Sequence, residues 1–326
     1  MVAKWVAGRG RANPPIQKPN RPITDRPITD RPIPDRPIPD HSIARSRDLS
    51  IPYMFLPTDR AVVLARGLGR RMQEADPAAT LDESQQRAAA AGLKALVPVA
   101  GRPFLDYVLS ALADAGVTRV ALVVGPDYEP FHRYYVIERP PARLRIDFVV
   151  QESALGTADA VLAAEAWTAG DPFLAMNSDN LYPAGVLRRL AALTEPGLPV
   201  FTRDDLLRTS NIPPDRVEAF ALLALDEDGF LSNIMEKPPG DAMRAAGPAA
   251  AVSMNCWRFD SRIFRFCREV PRSARGELEL PEAVGLAARN GVRFKTFQAD
   301  GPVLDLSRRT DAAEVARRLA TVAPRP

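Results

Sequence analysis

Between Ala61 and Met72 the sequence reads AVVLARGLGRRM: a short apolar run, then Gly67-Leu68-Gly69, then Arg70 and Arg71. Glycines in such a place let an anion approach backbone N–H groups closely, and the arginines could neutralise it, which is phosphate-binding chemistry. The same residues also make a tight turn with a solvated basic rim, and the stretch alone leaves both readings open. It excludes two familiar phosphate loops. Met72 stands where a dinucleotide fingerprint needs its third glycine, and no GxxxxGK[ST] occurs anywhere. Nucleophilic and metal-hydrolytic chemistry have little to work with, because the chain has two histidines and a Ser-His-Asp triad would rest on His132 alone. Cys256 and Cys267 are too few and too far apart for a zinc knuckle or a disulfide framework, and read as buried thiols of a reducing compartment.

A phosphate loop needs a strand that delivers the chain to it. AVVLA (61–65) reads as a buried strand, PFLDYVLSALADAGV (103–117) as an amphipathic helix and RVALVVG (119–125) as the next strand, together a parallel βαβ unit. LRIDFVVQ (144–151), ADAVLAAEAW (158–167) and PFLAMNSD (172–179) repeat the theme, and the apolar runs around Asp226-Glu227-Asp228-Gly229 signal a hairpin. The expected fold is α/β: a Rossmann-like, three-layer, open mixed sheet, whose ligands gather at the carboxyl ends of its strands.

With 326 residues, 46% of them hydrophobic, the chain can bury a sizeable core. No run of eighteen apolar residues occurs and the N-terminus lacks a signal-peptide pattern, so a cytoplasmic protein without a membrane partner is expected. Charge divides the chain. Residues 1–58 hold ten basic and five acidic residues, eleven of the 32 prolines and the repeat RPITDRPITDRPIPDRPIPD, whereas the remainder is slightly acidic. Such a segment cannot bury a core and is expected to be a disordered arm, either a solvated extension or a docking segment, ahead of a catalytic domain over 59–326. The body has no basic excess, so no nucleic-acid partner is expected.

Taken together, LARGLGRRM and LKALVPVAGRPF resemble the signature of the sugar-phosphate nucleotidylyltransferases, matched at Gly67, Gly69, Arg71, Met72, Lys94, Leu96, Pro98, Val99, Gly101 and Pro103. QESALGTADAV, MNSDN, IMEKP, VSMNCWRF and VLDLSRRTD are similar to later segments of the same family, so the resemblance spans about residues 60–320. It implies an enzyme of the nucleotide-diphospho-sugar transferase type, joining an NTP and a sugar 1-phosphate with release of pyrophosphate. Gly67, Leu68, Gly69, Arg71 and Lys94 would hold the triphosphate, and Gln151, Gly156 and Thr157 the nucleoside. Glu236, Lys237 and Asn255 would serve the sugar phosphate, and Asp179 and Asp305 would carry Mg²⁺. A homo-oligomer is compatible with the resemblance. A transferase acting on a non-sugar phosphate such as phosphocholine, or a non-catalytic sensor of sugar nucleotides, are alternatives within the same fold.

The chemistry suits the composition. A sugar-phosphate oxygen is already anionic, so catalysis needs placement and charge neutralisation rather than an activated serine or histidine. Arg66 and Arg70 depart from the family's usual small or hydroxyl residues, and Asn255 stands where glycine is frequent. The 22-residue spacer between Arg71 and Lys94 is expected to form a helical lid or flap, Trp257 to sit in the core or the wall of the sugar pocket, and Asp311 to be a cap or surface carboxylate.

Overall fold

A computed structural model describes residues 57–67, 70–74, 79, 81–239 and 241–326, with nothing placed for the Arg70 side chain. The RPI[TP]D repeats, Leu68 and Gly69 lie outside the described residues.

Along the described residues run β1 (Arg60–Leu64), β2 (Pro98–Val99), β3 (Arg102–Pro103), β4 (Arg119–Val124), β5 (Arg145–Val150), β6 (Phe173–Asn177) and β7 (Asn180–Leu181). They continue with β8 (Gly197–Thr202), β9 (Ala221–Leu225), β10 (Leu231–Met235), β11 (Ala251–Ser253), β12 (Cys256–Phe259), β13 (Lys295–Gln298) and β14 (Leu304–Asp305). The main sheet has the order β10-β9-β11-β8-β12-β6-β1-β4-β5, with β13 joined to β8. β6, β1, β4 and β5 are mutually parallel, and β12 runs antiparallel beside β6, so the sheet is mixed as the sequence leads one to expect.

Alternation within the apolar runs makes three layers. Ala61 and Val63 on β1, Val120 and Leu122 on β4, and Leu174 and Met176 on β6 face one core, under the helices Phe104–Asp114, Ala184–Ala191 and Asp311–Leu319. Val62 and Leu64, Ala121 and Val123, and Phe173 and Ala175 face the other, under Thr157–Ala163, Ile263–Glu269 and Leu280–Arg289. Strands covered on both faces must be apolar throughout, which is why they read as unbroken hydrophobic runs. The two cysteines are divided between these cores, Cys256 in the first and Cys267 in the second. Burial pushes the Cys256 thiol far above its ordinary range and that of Cys267 up to about 12. Trp257 is fully buried in the second core, its ring 5.9 Å from that of Phe259.

The hairpin joining β9 and β10 closes through Asp226, whose Oδ1 accepts the N–H groups of Asp228 at 3.0 Å and Phe230 at 2.8 Å, with Gly229 at φ 75°. The spacer does contribute a helix, Glu83–Ala90, held by a capping box between Asp82 and Gln85. Ala89 is fully buried and Gln85 Nε2 donates to the Pro98 carbonyl at 2.8 Å, so this helix is packed onto the domain and not a free flap. Asp311 also differs from expectation: it is buried in a two-pronged ion pair with Arg216, at 2.8 and 3.0 Å. Sequence separation of 95 residues hides that partner. Among the described residues no helix is long and apolar enough to cross a membrane.

Candidate active site

Three parallel strands deliver their carboxyl ends to one cleft of about 590 Å³. Past β1 the chain continues through Ala65, whose N–H bonds the Val123 carbonyl at 2.8 Å, to Arg66 and Gly67. Among the described residues a Cβ built on Gly67 would meet nothing within 4 Å, and this backbone lines the cleft. Past β5, Gln151 is held by its own N–H to the Val124 carbonyl at 2.9 Å. Past β6 come Ser178 and Asp179, with Ser178 N–H on the Leu64 carbonyl at 3.1 Å. The loops after β1 and β6 leave adjacent parallel strands from which the strand order runs toward opposite edges of the sheet, to β4 and to β8, the switch point where open α/β sheets bind ligands.

Lys94, in a short 3₁₀ turn, sends its ammonium group across the cleft onto Asp179 Oδ2, with Ser307 Oγ at 3.3 Å. β7 and β14 pair antiparallel just behind, Asn180 opposite Asp305, which brings the second carboxylate to the same corner. Asp305 is buried, one oxygen accepting from Asn180 Nδ2 at 2.9 Å and the other without a hydrogen bond, 3.5 Å from Arg216 Nη1. Burial first and the neighbouring Asp179 charge second push its carboxyl above the usual range, against the pull of Arg216 and Lys94. A hard cation fits such a corner: two carboxylates that repel one another, and a buried oxygen that accepts no hydrogen bond and has Arg216 beside it at 3.5 Å. Among the described residues no cluster of three or more His, Cys, Asp or Glu side chains gathers at metal-binding distance, so an ion held by these two carboxylates would keep several waters.

Glu236 and Lys237 follow β10. Lys237, at φ 48°, reaches back to Glu279 at 3.2 Å and to Glu236 at 3.5 Å. Desolvation raises the Glu236 carboxyl to about 7, with Lys237 lowering it and Glu279 raising it. Asn255 has φ 59°, a left-handed conformation that glycine and asparagine adopt most easily, which accounts for an asparagine where the family often has glycine. Its Oδ1 is buried without a partner.

Of the residues singled out by sequence, Gly67, Lys94, Gln151, Gly156, Thr157 and Asp179 line this one cleft. Asp305 lies directly behind it, whereas Glu236, Lys237 and Asn255 are not in its wall, and Arg71 is exposed on the short helix Arg70–Gln73. Gly156 has a structural duty besides: at φ 127°, a Cβ there would lie 2.4 Å from the Leu278 carbonyl oxygen. Sequence reasoning missed Arg275 and Glu277, which line the cleft from a turn closed by the Gly276 N–H on the Ser273 carbonyl at 2.8 Å. The one signal for them is the charged string Arg275, Glu277, Glu279 directly before an apolar helix. Arg66 is a further wall residue, its Nη2 donating to the Glu152 carbonyl at 3.1 Å.

Residues 89–306 match the family model described as nucleotidyl transferase. The UTP–glucose-1-phosphate uridylyltransferase AglF of Haloferax volcanii is 27% identical over 80% of this chain and 96% of its own length. A bifunctional protein GlmU of Methanococcus vannielii is 28% identical over 59% of this chain, and a glucose-1-phosphate thymidylyltransferase of Streptomyces antibioticus 29% over 79%. The chain spans less than half the length of the GlmU relative, 41%, and 65% of the thymidylyltransferase. In fold it resembles a UDP-glucose pyrophosphorylase solved with UDP-glucose, with a TM-score of 0.63 at 17% identity, covering 79% of this chain and 97% of that one.

Proposed function

The chain belongs to the nucleotidyl transferase family, and from that premise we propose that it joins an NTP and a sugar 1-phosphate into an NDP-sugar. An oxygen of the sugar phosphate attacks the α-phosphorus of the NTP, a new P–O bond forms, the α–β bridging P–O bond breaks, and pyrophosphate leaves with the electron pair. No proton needs to be removed from the nucleophile, so the protein's work is to align the two anions and offset their charge. Lys94 is the cation for the triphosphate. It stands in the cleft on Asp179, ready to exchange a carboxylate for phosphate oxygens. The backbone at Gly67 receives the phosphates, and Gln151 with Gly156 and Thr157 takes the nucleoside. Glu236 and Lys237 take the sugar phosphate from the edge of the sheet beside Glu279 and Arg275. Asp179 and Asp305 would hold Mg²⁺, which when bound neutralises developing charge on the phosphates. A cytoplasmic reaction, where NTPs are abundant, accords with this reading.

The observation that carries this reading is the convergence of Gly67, Lys94, Gln151, Gly156 and Asp179, from four separate stretches, on a single cleft. Pyrophosphate release tests it. Incubation of the full chain with MgCl₂, each common NTP and a set of sugar 1-phosphates should give pyrophosphate only when both substrates are present. Release with phosphocholine instead, or with no acceptor at all, would overturn it.

A further inference from the structure

Gln151 is 5% exposed and forms one wall of the cleft. Its side-chain nitrogen donates twice, to the Gly156 carbonyl at 3.1 Å and to Asp159 Oδ2 at 2.6 Å. An amide can often be turned end for end without penalty, but not here. A carbonyl oxygen and a carboxylate oxygen only accept, so reversing the amide would set three acceptors against one another and lose both bonds. Chemistry therefore fixes which end of Gln151 faces which way. Its Oε1 accepts no hydrogen bond among the described residues and is not among the buried unpartnered atoms, so it is left to the cleft. The Gly156 N–H, nearby in the same wall, likewise has no acceptor among the described residues.

We propose that Asp159 is a positioning residue that fixes the sense in which Gln151 reads the nucleobase. The enzyme then selects bases carrying a ring N–H beside a carbonyl, namely uracil, thymine or guanine, over cytosine and adenine. The proposal rests on the nucleotidyl-transfer reading, since it takes the cleft as the NTP site. An acceptor from Gln151 beside a donor from Gly156 matches the N–H and C=O of a lactam edge. Cytosine and adenine place a ring-nitrogen lone pair where the lactam has its N–H, opposite Oε1, and that unpaired contact in a closed wall is what rejects them. Asp159 itself does not line the cleft; it acts only through the Gln151 amide. Its replacement by asparagine, which can present either an acceptor or a donor, or by alanine leaves the Gly156 carbonyl as the one anchor of the Gln151 amide, so the cost of turning it falls.

The test compares the wild type with Asp159→Asn and Asp159→Ala, using UTP, dTTP, GTP, CTP and ATP. The wild type should favour its best lactam nucleotide over CTP and ATP by about a hundredfold in kcat/KM, and both variants should narrow that ratio by about tenfold or more while keeping the thermal midpoint. A merely structural aspartate would lower all five nucleotides alike. Titration calorimetry of the same nucleotides reads the same ratio as Kd without turnover, so it decides the matter even if no sugar 1-phosphate is accepted. Preference for CTP or ATP in the wild type overturns the lactam selection and the role of Asp159 with it, and a ratio unmoved in both variants overturns the role of Asp159 alone. Absence of pyrophosphate release together with selective nucleotide binding overturns the transfer reaction and leaves the base selection standing; absence of any nucleotide binding overturns both.

Discussion

Lys94 and Asp179, 85 residues apart in sequence, are joined by an ammonium–carboxylate pair inside the cleft, and Ser307 Oγ lies 3.3 Å from the same ammonium. Each partner occupies the other in the free protein, so substrate must separate them. Lys94→Ala should lower kcat/KM by at least about a hundredfold, or about 2.7 kcal/mol, and Asp179→Asn should do the same. Because the two act on the same phosphates, the double variant should lose much less than the sum of the single losses. Steady-state pyrophosphate release measures all three, and additive losses would mean that the pair is not part of one site. Chelation with EDTA should abolish turnover; full activity without divalent cation would end the two-aspartate assignment.

Gly67 offers a cleaner probe of phosphate binding than Gly156. A Cβ at Gly67 meets no atom of the described residues within 4 Å, whereas one at Gly156 strikes the Leu278 backbone. Gly67→Ala should therefore leave the thermal midpoint unchanged and weaken NTP binding by about tenfold or more, since it blocks close approach to backbone N–H groups. If calorimetry finds NTP affinity intact in this variant, the loop is only a turn.

Glu236 makes stability depend on pH. Its carboxyl is raised by burial from an ordinary 4.5 to about 7, so the folded chain holds the proton more tightly than the unfolded chain. Unfolding then releases protons between these values, and stability falls as pH rises from about 4.5 to about 7. Glu236→Gln should match the wild type in thermal midpoint near pH 4.5 and exceed it at pH 8. Equal differences at the two pH values would show that Glu236 does not titrate in this window.

Arg216 binds Asp311 with both prongs and stands 3.5 Å from Asp305, all three being buried. Removing the cation strands two carboxylates in the interior, so Arg216→Ala should cost about 3–5 kcal/mol in a denaturant titration. Arg216→Lys should recover only part, because a point charge cannot reproduce the fork. A loss below about 1 kcal/mol would place water, not arginine, against these carboxylates.

Much of the site is legible in sequence because it sits where a strand stops. Asp179 comes just past the apolar Phe173–Met176 run of β6, which is forced by cores on both faces of the sheet, whereas Gln151 follows the half-buried strand β5, whose Ile146, Phe148 and Val149 still mark it as a strand. The β9–β10 hairpin is equally legible, its Asp226-to-Gly229 string serving one local turn. What escapes is whatever depends on distant chain. Nothing near Arg275 announces that its turn reaches the cleft, and nothing near Asp311 shows that Arg216 lies opposite. Gly156 is legible as a ligand position, yet its contact with Leu278 comes from 122 residues further on and gives that glycine a second reason to be there.

The separation of the two thiols has a practical meaning. Cys256 and Cys267 are buried and held protonated, so neither can act as a nucleophile while its layer is closed. They lie on opposite sides of the sheet, one in each core. A thiol-specific reagent added to the native protein therefore works as a pair of clocks: the Cys256 adduct times the opening of the layer under Phe104–Asp114 and Ala184–Ala191, and the Cys267 adduct times the layer under Ile263–Glu269 and Leu280–Arg289. Equal labelling rates would mean that the sheet loses both coverings in one event, and unequal rates would rank the two halves by how often each lifts away.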